Sequence, residues 1–257
     1  MRHALRELAA KFGTGEQLDI AEHSKSKEQI EAMEEYGRRI AQDAPQSNKI
    51  LKPIQSTTVD YLTACEALKS LRAERQRVKR ATQDPNFTWA FTDTDKTVIA
   101  NLIKYFINDP SCAFPLHKGL WIWSAPGVGK TEILTLLSSF TNKFDLPKKF
   151  DLVNMSKEYD RAKNDKNCDN LDFLVQKNKC LDEFGHRFGD VNSYGNKINL
   201  NEAVIEQRYI RNQKFGQQTH LVSNKSPEEV EEIMSAHIAD RLMGMCTVVE
   251  WKGGSKR

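Results

Sequence analysis

The run WIWSAPGVGKTE, residues 121–132, constrains the fold of this chain more than any other segment. An apolar run typical of a strand, LWIWS (120–124), leads into it, and a helical pattern, EILTLLSSF (132–140), follows. This is the strand–loop–helix setting of the pattern G-x-x-x-x-G-K-[ST], in which backbone N–H groups and a helix N-terminus face phosphate oxygens. Ser124 stands where the pattern has its first glycine. Because that position mainly ends the strand, a small residue with a negative φ is tolerable there.

The loop supplies a full set of predicted nucleotide contacts. Lys130 is expected to reach the β and γ phosphates, and the Thr131 hydroxyl to ligate Mg²⁺. The alternative, a glycine turn in an enzyme of another kind, is disfavoured by the strand before the loop and the helix after it. The residues predicted to bind the nucleotide in this segment are Pro126, Gly127, Val128, Gly129, Lys130, Thr131 and Glu132.

Two acidic residues follow about fifty positions downstream, in LDEF. Hydrolysis requires one acid for the magnesium shell and one for the attacking water, so we expect Asp182 to hold Mg²⁺ and Glu183 to be the general base. A solvated acidic turn is the alternative, since only Cys180 and Leu181 are apolar before the acids. The third element of the site is THLVSN, an apolar strand that ends in Asn224. The Asn224 amide is expected to contact the γ-phosphate or the water, and a simple turn residue is the alternative.

The pattern of predicted secondary structure changes between about residues 80 and 90. Before this point, helical patterns alternate with polar linkers; the last helix runs through 66–80, where six basic residues accompany two acidic ones. That face is either solvated or a basic stripe for a phosphate backbone or an acidic partner. After Pro85, strands alternate with helices, which predicts a parallel sheet with helices on both faces. The predicted strands are 120–124, 150–155, 180–184, 219–224 and 246–251, and the later helices are 200–213 and 227–243.

Bulk properties exclude several classes of protein. No run approaches the ~18 apolar residues of a membrane span, and the N-terminus lacks the apolar region of a secretory signal. The five cysteines are scattered without a C-x-x-C pair, which argues against a disulfide framework and a zinc site and fits a reducing cytoplasm. The net charge of +3 is too small to indicate a nucleic-acid partner by itself.

In this order, the motifs resemble those of AAA+ ATPases, and more narrowly those of the DnaC/IstB-like family. The resemblance covers roughly residues 85–257 and depends on SAPGVGKT, LDEFG, THLVSN and the tail ADRLMGMCTVVEWKGGSKR. It implies a P-loop NTPase domain over 85–257 without the C-terminal helical lid of most AAA+ proteins. A helical partner-binding region would occupy 1–84. The cofactors implied are ATP and Mg²⁺.

The resemblance also implies roles for arginines. Arg241 would be the arginine finger, acting across a subunit interface on a neighbour's γ-phosphate in an ATP-dependent oligomer. Arg208 and Arg211 are the runner-up fingers, and Arg257 would be a sensor-like arginine at the nucleotide.

The function implied by the resemblance is loading of a replicative helicase onto single-stranded DNA, with ATP as the assembly signal. Candidate DNA contacts are Lys157, Arg161, Lys163 and Lys166, for each of which a solvated helix is the alternative. Two other functions stay open: a transposition ATPase that assembles on duplex DNA and recruits a transposase, and a nucleotide-binding adaptor without hydrolysis.

Overall fold

The computed structural model describes residues 59–88, 91–164, 171–193 and 196–254. The helices predicted before residue 59 lie outside this part of the chain. In the described residues, the helices are α1 Tyr61–Thr82, α2 Asp93–Phe106, α3 Lys130–Lys143, α4 Met155–Asn164, α5 Leu171–Val175, α6 Leu200–Phe215, α7 Pro227–Glu231 and α8 Ala236–Met245. The strands are β1 Gly119–Trp123, β2 Asp151–Asn154, β3 Lys179–Asp182, β4 Asp190–Ser193, β5 Asn196–Asn199, β6 Thr219–Ser223 and β7 Cys246–Glu250.

Five strands form one parallel sheet in the order β2-β3-β6-β1-β7. β1 lies beside β6 and β7, with Trp121 opposite Leu221 on one side and Val248 on the other. Because the strands are parallel, their carboxyl ends meet at one edge of the sheet, which is where ligands bind in open α/β sheets. The five predicted strands are all present, and the predicted parallel sheet is confirmed.

Helices cover both faces of the sheet, as predicted. Alternate residues of β1 point to opposite faces: Leu120 and Ile122 belong to a core formed with α1, α2 and α3, whereas Trp121 belongs to a second core with α6 and α8. Burial of a strand on both faces explains why LWIWS reads as a continuous apolar run.

Four features differ from the sequence prediction, one of which is the short helix α5, which had no prediction. The helix predicted over 227–243 is two helices, α7 and α8, because the chain leaves the helical path between Glu232 and Ser235. Helix α2 and the antiparallel hairpin β4–β5 had no prediction. The hairpin strands are polar and four residues long, so they lack the apolar alternation that predicts a strand.

Helix α1 packs against helices α2 and α3 on one face of the sheet. Ala64 and Leu68 are buried in the core that also contains residues of α2 and α3. Asp60 caps the helix, accepting the Thr63 backbone N–H at 3.0 Å. α1 therefore contributes part of the cover on this face of the sheet.

In the part of the chain that the structure describes, no helix has the length and apolar character needed to cross a bilayer.

A neutral histidine lies at the centre of the sheet. His220, on β6, is fully buried among the rings of Tyr105, Phe106 and Phe150, and its Nδ1 accepts the Leu120 N–H at 3.2 Å. Burial, reinforced by the cations of Arg208 and Lys148, lowers its pKa to about 3. The imidazole is therefore neutral in the folded protein.

This histidine should make the fold sensitive to acid. Between pH 6.5 and 3 the unfolded chain binds a proton at His220 that the folded chain does not, so stability falls as pH decreases, by up to about 1.4 kcal/mol per pH unit. Urea unfolding at pH 7.0, 5.5 and 4.5 should show a shallower decline for His220→Phe than for wild type, and the exposed control His117→Gln should behave as wild type. Parallel wild-type and His220→Phe curves would contradict the prediction.

Candidate functional site

A cavity of about 370 Å³ opens at the carboxyl ends of β1, β3 and β6. It holds most of the residues predicted to bind nucleotide, together with both acids and Asn224. The lining residues are Lys79, Phe87, Thr88, Pro126, Gly127, Gly129, Lys130, Thr131, Glu132, Asp182, Glu183, Val222, Ser223 and Asn224.

The loop between β1 and α3 contains two glycines in the left-handed backbone region and leads directly into the helix. Gly127 has φ 91° and Gly129 has φ 100°, values that side chains disfavour, and Gly129 is the N-cap of α3. Ser124 lies outside the positive-φ region, as the replacement of glycine requires. Val128 is buried in the core beneath the loop, so the loop is anchored between its two glycines.

Lys130 is buried, and its ammonium group points into the start of the loop. It donates to the Ser124 carbonyl at 2.9 Å, to Ser124 Oγ at 2.7 Å and to Asn224 Oδ1 at 2.9 Å, with the Ala125 carbonyl at 3.2 Å. The predicted lysine and the predicted amide are therefore in direct contact. A cation held by neutral oxygens beside a cavity is suited to an anionic ligand.

Thr131 and Asp182 are brought together across the cavity. The threonine hydroxyl donates to Asp182 Oδ2 at 2.9 Å, and the Glu183 N–H donates to Oδ1 at 3.0 Å. Burial raises the pKa of Asp182 above its ordinary value, whereas these two hydrogen bonds act in the opposite direction. A bound cation would favour the charged carboxylate.

These residues fit the chemistry of magnesium. Among the described residues, no cluster of three or more His, Cys, Asp or Glu side chains could hold a metal. Mg²⁺ is typically bound by one or two protein oxygens, with phosphates and water completing its shell. Thr131 and Asp182 offer that minimal set.

Glu183 has an unusual backbone conformation for a non-glycine residue, with φ 55°. The turn is fixed on its far side, where the Phe184 N–H donates to the Val222 carbonyl of β6 at 2.9 Å and the Phe184 ring is buried. Positive φ values outside glycine are enriched at functional sites. The turn places Glu183 in the cavity wall after the strand that carries Asp182.

Helix α1 supplies a wall of the cavity that sequence reasoning missed. Arg75 Nε lies 2.6 Å from Glu132 Oε2, and Lys79 pairs with the other oxygen of the same carboxylate. Burial opposes ionisation of Glu132, but the two cations outweigh it and lower its pKa. Lys79 also lies over the Phe87 ring at 4.7 Å. No local motif signals the two ion pairs with Glu132, since they join positions 57 and 53 residues apart.

The basic residues of α1 are used largely within the chain. Besides Arg75 and Lys79, the guanidinium of Arg72 lies 4.5 Å above the Phe91 ring, and Arg80 donates to the Phe87 carbonyl at 2.7 Å. These four cations therefore have partners within the chain, and the basic stripe for a phosphate backbone or an acidic partner stays a prediction.

Arg241 and Arg211 are not among the residues that line the cavity. Arg241, on α8, pairs with Glu206 at 3.0 Å and lies over the Tyr209 ring at 5.2 Å. Arg211 lies 6.0 Å from the Phe215 ring on its own helix. Arg257 is outside the described residues.

Arg208 is a structural residue. It is fully buried, and it donates to Thr219 Oγ1 at 2.7 Å and to the Leu174 and Gln218 carbonyls at 2.8 Å each. A guanidinium enclosed in this way cannot reach a neighbouring subunit, so the interpretation of Arg208 as a finger is wrong.

Three of the four candidate DNA contacts lie on α4. Lys157, Arg161 and Lys163 are exposed, and the first two share a helix face because they are four residues apart. Arg161 lies 3.8 Å from Glu158 on the same helix. Lys166 is outside the described residues.

Comparisons with known proteins give matches among solved structures. DnaI matches with a TM-score of 0.49 and 16% identity over 66% of this chain and 88% of its own. The DnaC helicase loader has a TM-score of 0.45 and 12% identity, over 65% of this chain and 95% of its own. AMPPCP-bound DnaA from Aquifex aeolicus has a TM-score of 0.45 and 11% identity, over 64% of this chain and 48% of its own. No protein-family model matches the sequence, and a comparison with curated proteins finds no match either.

Proposed function

We propose that this chain is an ATP-hydrolysing AAA+ protein of the DnaC/IstB-like type that acts in DNA replication, loading a replicative helicase onto single-stranded DNA. The observation that carries the enzymatic part is the shared cavity: the loop lysine, the Thr131–Asp182 pair and Glu183 all line it. The order of the motifs along the sequence supports the assignment to the DnaC/IstB-like type. ATP, rather than GTP, is part of the proposal through that resemblance.

In the proposed reaction, the loop N–H groups and Lys130 bind the phosphates, which neutralises charge as the terminal phosphoryl group transfers. A magnesium ion held by Thr131 and Asp182 would polarise the phosphate oxygens. Glu183 accepts a proton from the attacking water, and Asn224 orients that water or the γ-phosphate. Arg241 would come from a neighbouring subunit, so that bound ATP favours assembly and hydrolysis favours release.

DNA and helicase contacts are assigned to separate surfaces. The exposed cations of α4 are proposed to follow a single-stranded phosphate backbone. The region before Val59, with its helical sequence patterns, is proposed to bind the helicase. Helix α1 packs against α2 and α3, and its residue Lys79 lines the cavity. The helicase-binding region is therefore best tested by a truncation that leaves α1 in place.

The experiment compares the full chain with a chain that begins at Val59. Both are mixed with the host's hexameric replicative helicase, and complex formation is followed by gel filtration; ATPase rates are measured with single-stranded and duplex DNA. A loader should bind the helicase only as the full chain, and single-stranded DNA should stimulate its hydrolysis. ATP-dependent polymers on duplex DNA, without helicase binding, would instead identify the transposition ATPase.

A further inference from the structure

The serine that replaces the first loop glycine has a specific side-chain contact. Ser124 is 3% exposed, and its Oγ lies 2.7 Å from Lys130 Nζ, which is the shortest of the distances from that ammonium to the oxygens of Ser124, Ala125 and Asn224. A glycine at this position has no atom that could make this contact. The substitution therefore adds an acceptor to the phosphate-binding loop.

The orientation of the Ser124 hydroxyl is fixed by its own donor bond. Oγ–H donates to the Ala125 carbonyl at 3.1 Å, so a lone pair remains for Lys130. The backbone of Ser124 is fixed as well, because its N–H donates to the Ser223 carbonyl of β6 at 3.3 Å. The acceptor is thus anchored at the end of a buried strand.

Asn224 differs from Ser124 in its freedom to move. Its side chain also accepts from Lys130, at 2.9 Å, but the residue is exposed and follows the end of β6. An ammonium group has three N–H donors, and four oxygens of Ser124, Ala125 and Asn224 already lie within hydrogen-bond distance of it. A phosphate oxygen would be a further acceptor, so one of the present acceptors has to withdraw. The Ala125 carbonyl belongs to the backbone of the loop, whereas the Asn224 amide can withdraw by rotation of its side chain alone.

We infer that Ser124 is a positioning residue for Lys130: its hydroxyl holds the ammonium at the phosphate site, while Asn224 exchanges its place with a phosphate oxygen. This inference rests on the nucleotide site of the proposed function. Removal of an anchored hydrogen bond to a charged group should weaken triphosphate binding by about tenfold, the lower range for such bonds.

The test uses the full chain with Ser124→Ala, Ser124→Gly and Ser124→Thr. Calorimetry gives the affinity for a non-hydrolysable ATP analogue, and the ¹⁵N resonance of Lys130 Nζ in nucleotide-free protein, assigned by its loss in Lys130→Met, gives the environment of the ammonium. We expect the alanine and glycine variants to bind about tenfold more weakly and to shift the Nζ resonance. The threonine variant, which keeps the hydroxyl, should retain both properties, and thermal melting confirms that each variant is folded.

Each other outcome overturns the inference in a distinct way. If Ser124→Gly binds as tightly as wild type, the serine only replaces a glycine. If affinity falls while the Nζ resonance is unchanged, Ser124 acts on the loop backbone and not on Lys130. In both cases the nucleotide site survives. Failure of the wild-type chain to bind the analogue would remove the proposed function together with the inference.

Discussion

Replacement of Glu183 by glutamine is expected to reduce ATP hydrolysis by about 10²–10⁴-fold while nucleotide affinity stays close to wild type. The amide keeps the shape of the side chain but cannot accept a proton from water. Glu183 lines the cavity on the turn after Asp182, and its contact with the Asp182 carboxylate is made by the backbone N–H. The substitution should therefore leave the Thr131–Asp182 pair in place. Steady-state phosphate release and calorimetry with an ATP analogue measure the two quantities.

Glu229→Gln is a matched control for this experiment, since Glu229 is an exposed residue whose carboxylate caps α7. Its hydrolysis rate should equal that of wild type. If Glu183→Gln hydrolyses ATP as fast as wild type, Glu183 is not the base. A wild-type chain that binds nucleotide without hydrolysing it would support the adaptor function instead.

Replacement of Arg241 by alanine is expected to reduce hydrolysis by about 10³-fold without loss of nucleotide binding, because trans-acting arginines stabilise charge that develops in the transition state. In the single chain, Arg241 pairs with Glu206 and does not line the cavity. A role in hydrolysis therefore requires a second subunit. Glu206→Gln is the control, because it removes the ion pair and keeps the guanidinium.

A mixing experiment separates action across an interface from action within a chain. Arg241→Ala retains an intact pocket, and Glu183→Gln retains an intact arginine. If Arg241 acts on a neighbour, the mixture should recover hydrolysis that neither variant shows alone. A mixture as inactive as its components would contradict the trans role.

The sequence predicts the sheet well because each buried strand is a compact apolar signal with a helix after it. LWIWS, THLVSN and CTVVEW became β1, β6 and β7, each within one residue of its predicted bounds. The loop and the acids meet because parallel strands place their carboxyl ends together. Strand β3 was the weakest strand prediction, because only Cys180 and Leu181 are apolar before the acids. In the structure its first residue is Lys179, which is buried against Asp151 and the Phe173 ring.

The sequence did not predict the features that depend on distant contacts. From the sequence, Arg75 and Lys79 belong to a solvated face or to a basic stripe for a phosphate backbone or an acidic partner. No local pattern reveals that Glu132 is the carboxylate they bind. Arg208 was a candidate finger in QRYIRNQ because the sequence does not reveal the carbonyls that enclose it. They come from α5, the following turn and the residue before β6. Both cases concern cations, whose partners are set by tertiary structure.

The two ion pairs between α1 and Glu132 limit where part of this protein can be joined to another protein in a chimaera. The sharpest change in composition falls after α1, so a chimaera joined there would carry the loop and both acids but would leave Glu132 without Arg75 and Lys79. Such a hybrid would expose the apolar side of α3 that Ala64 and Leu68 now cover. A segment of this protein that is to carry the loop and both acids into another chain has to begin before Tyr61.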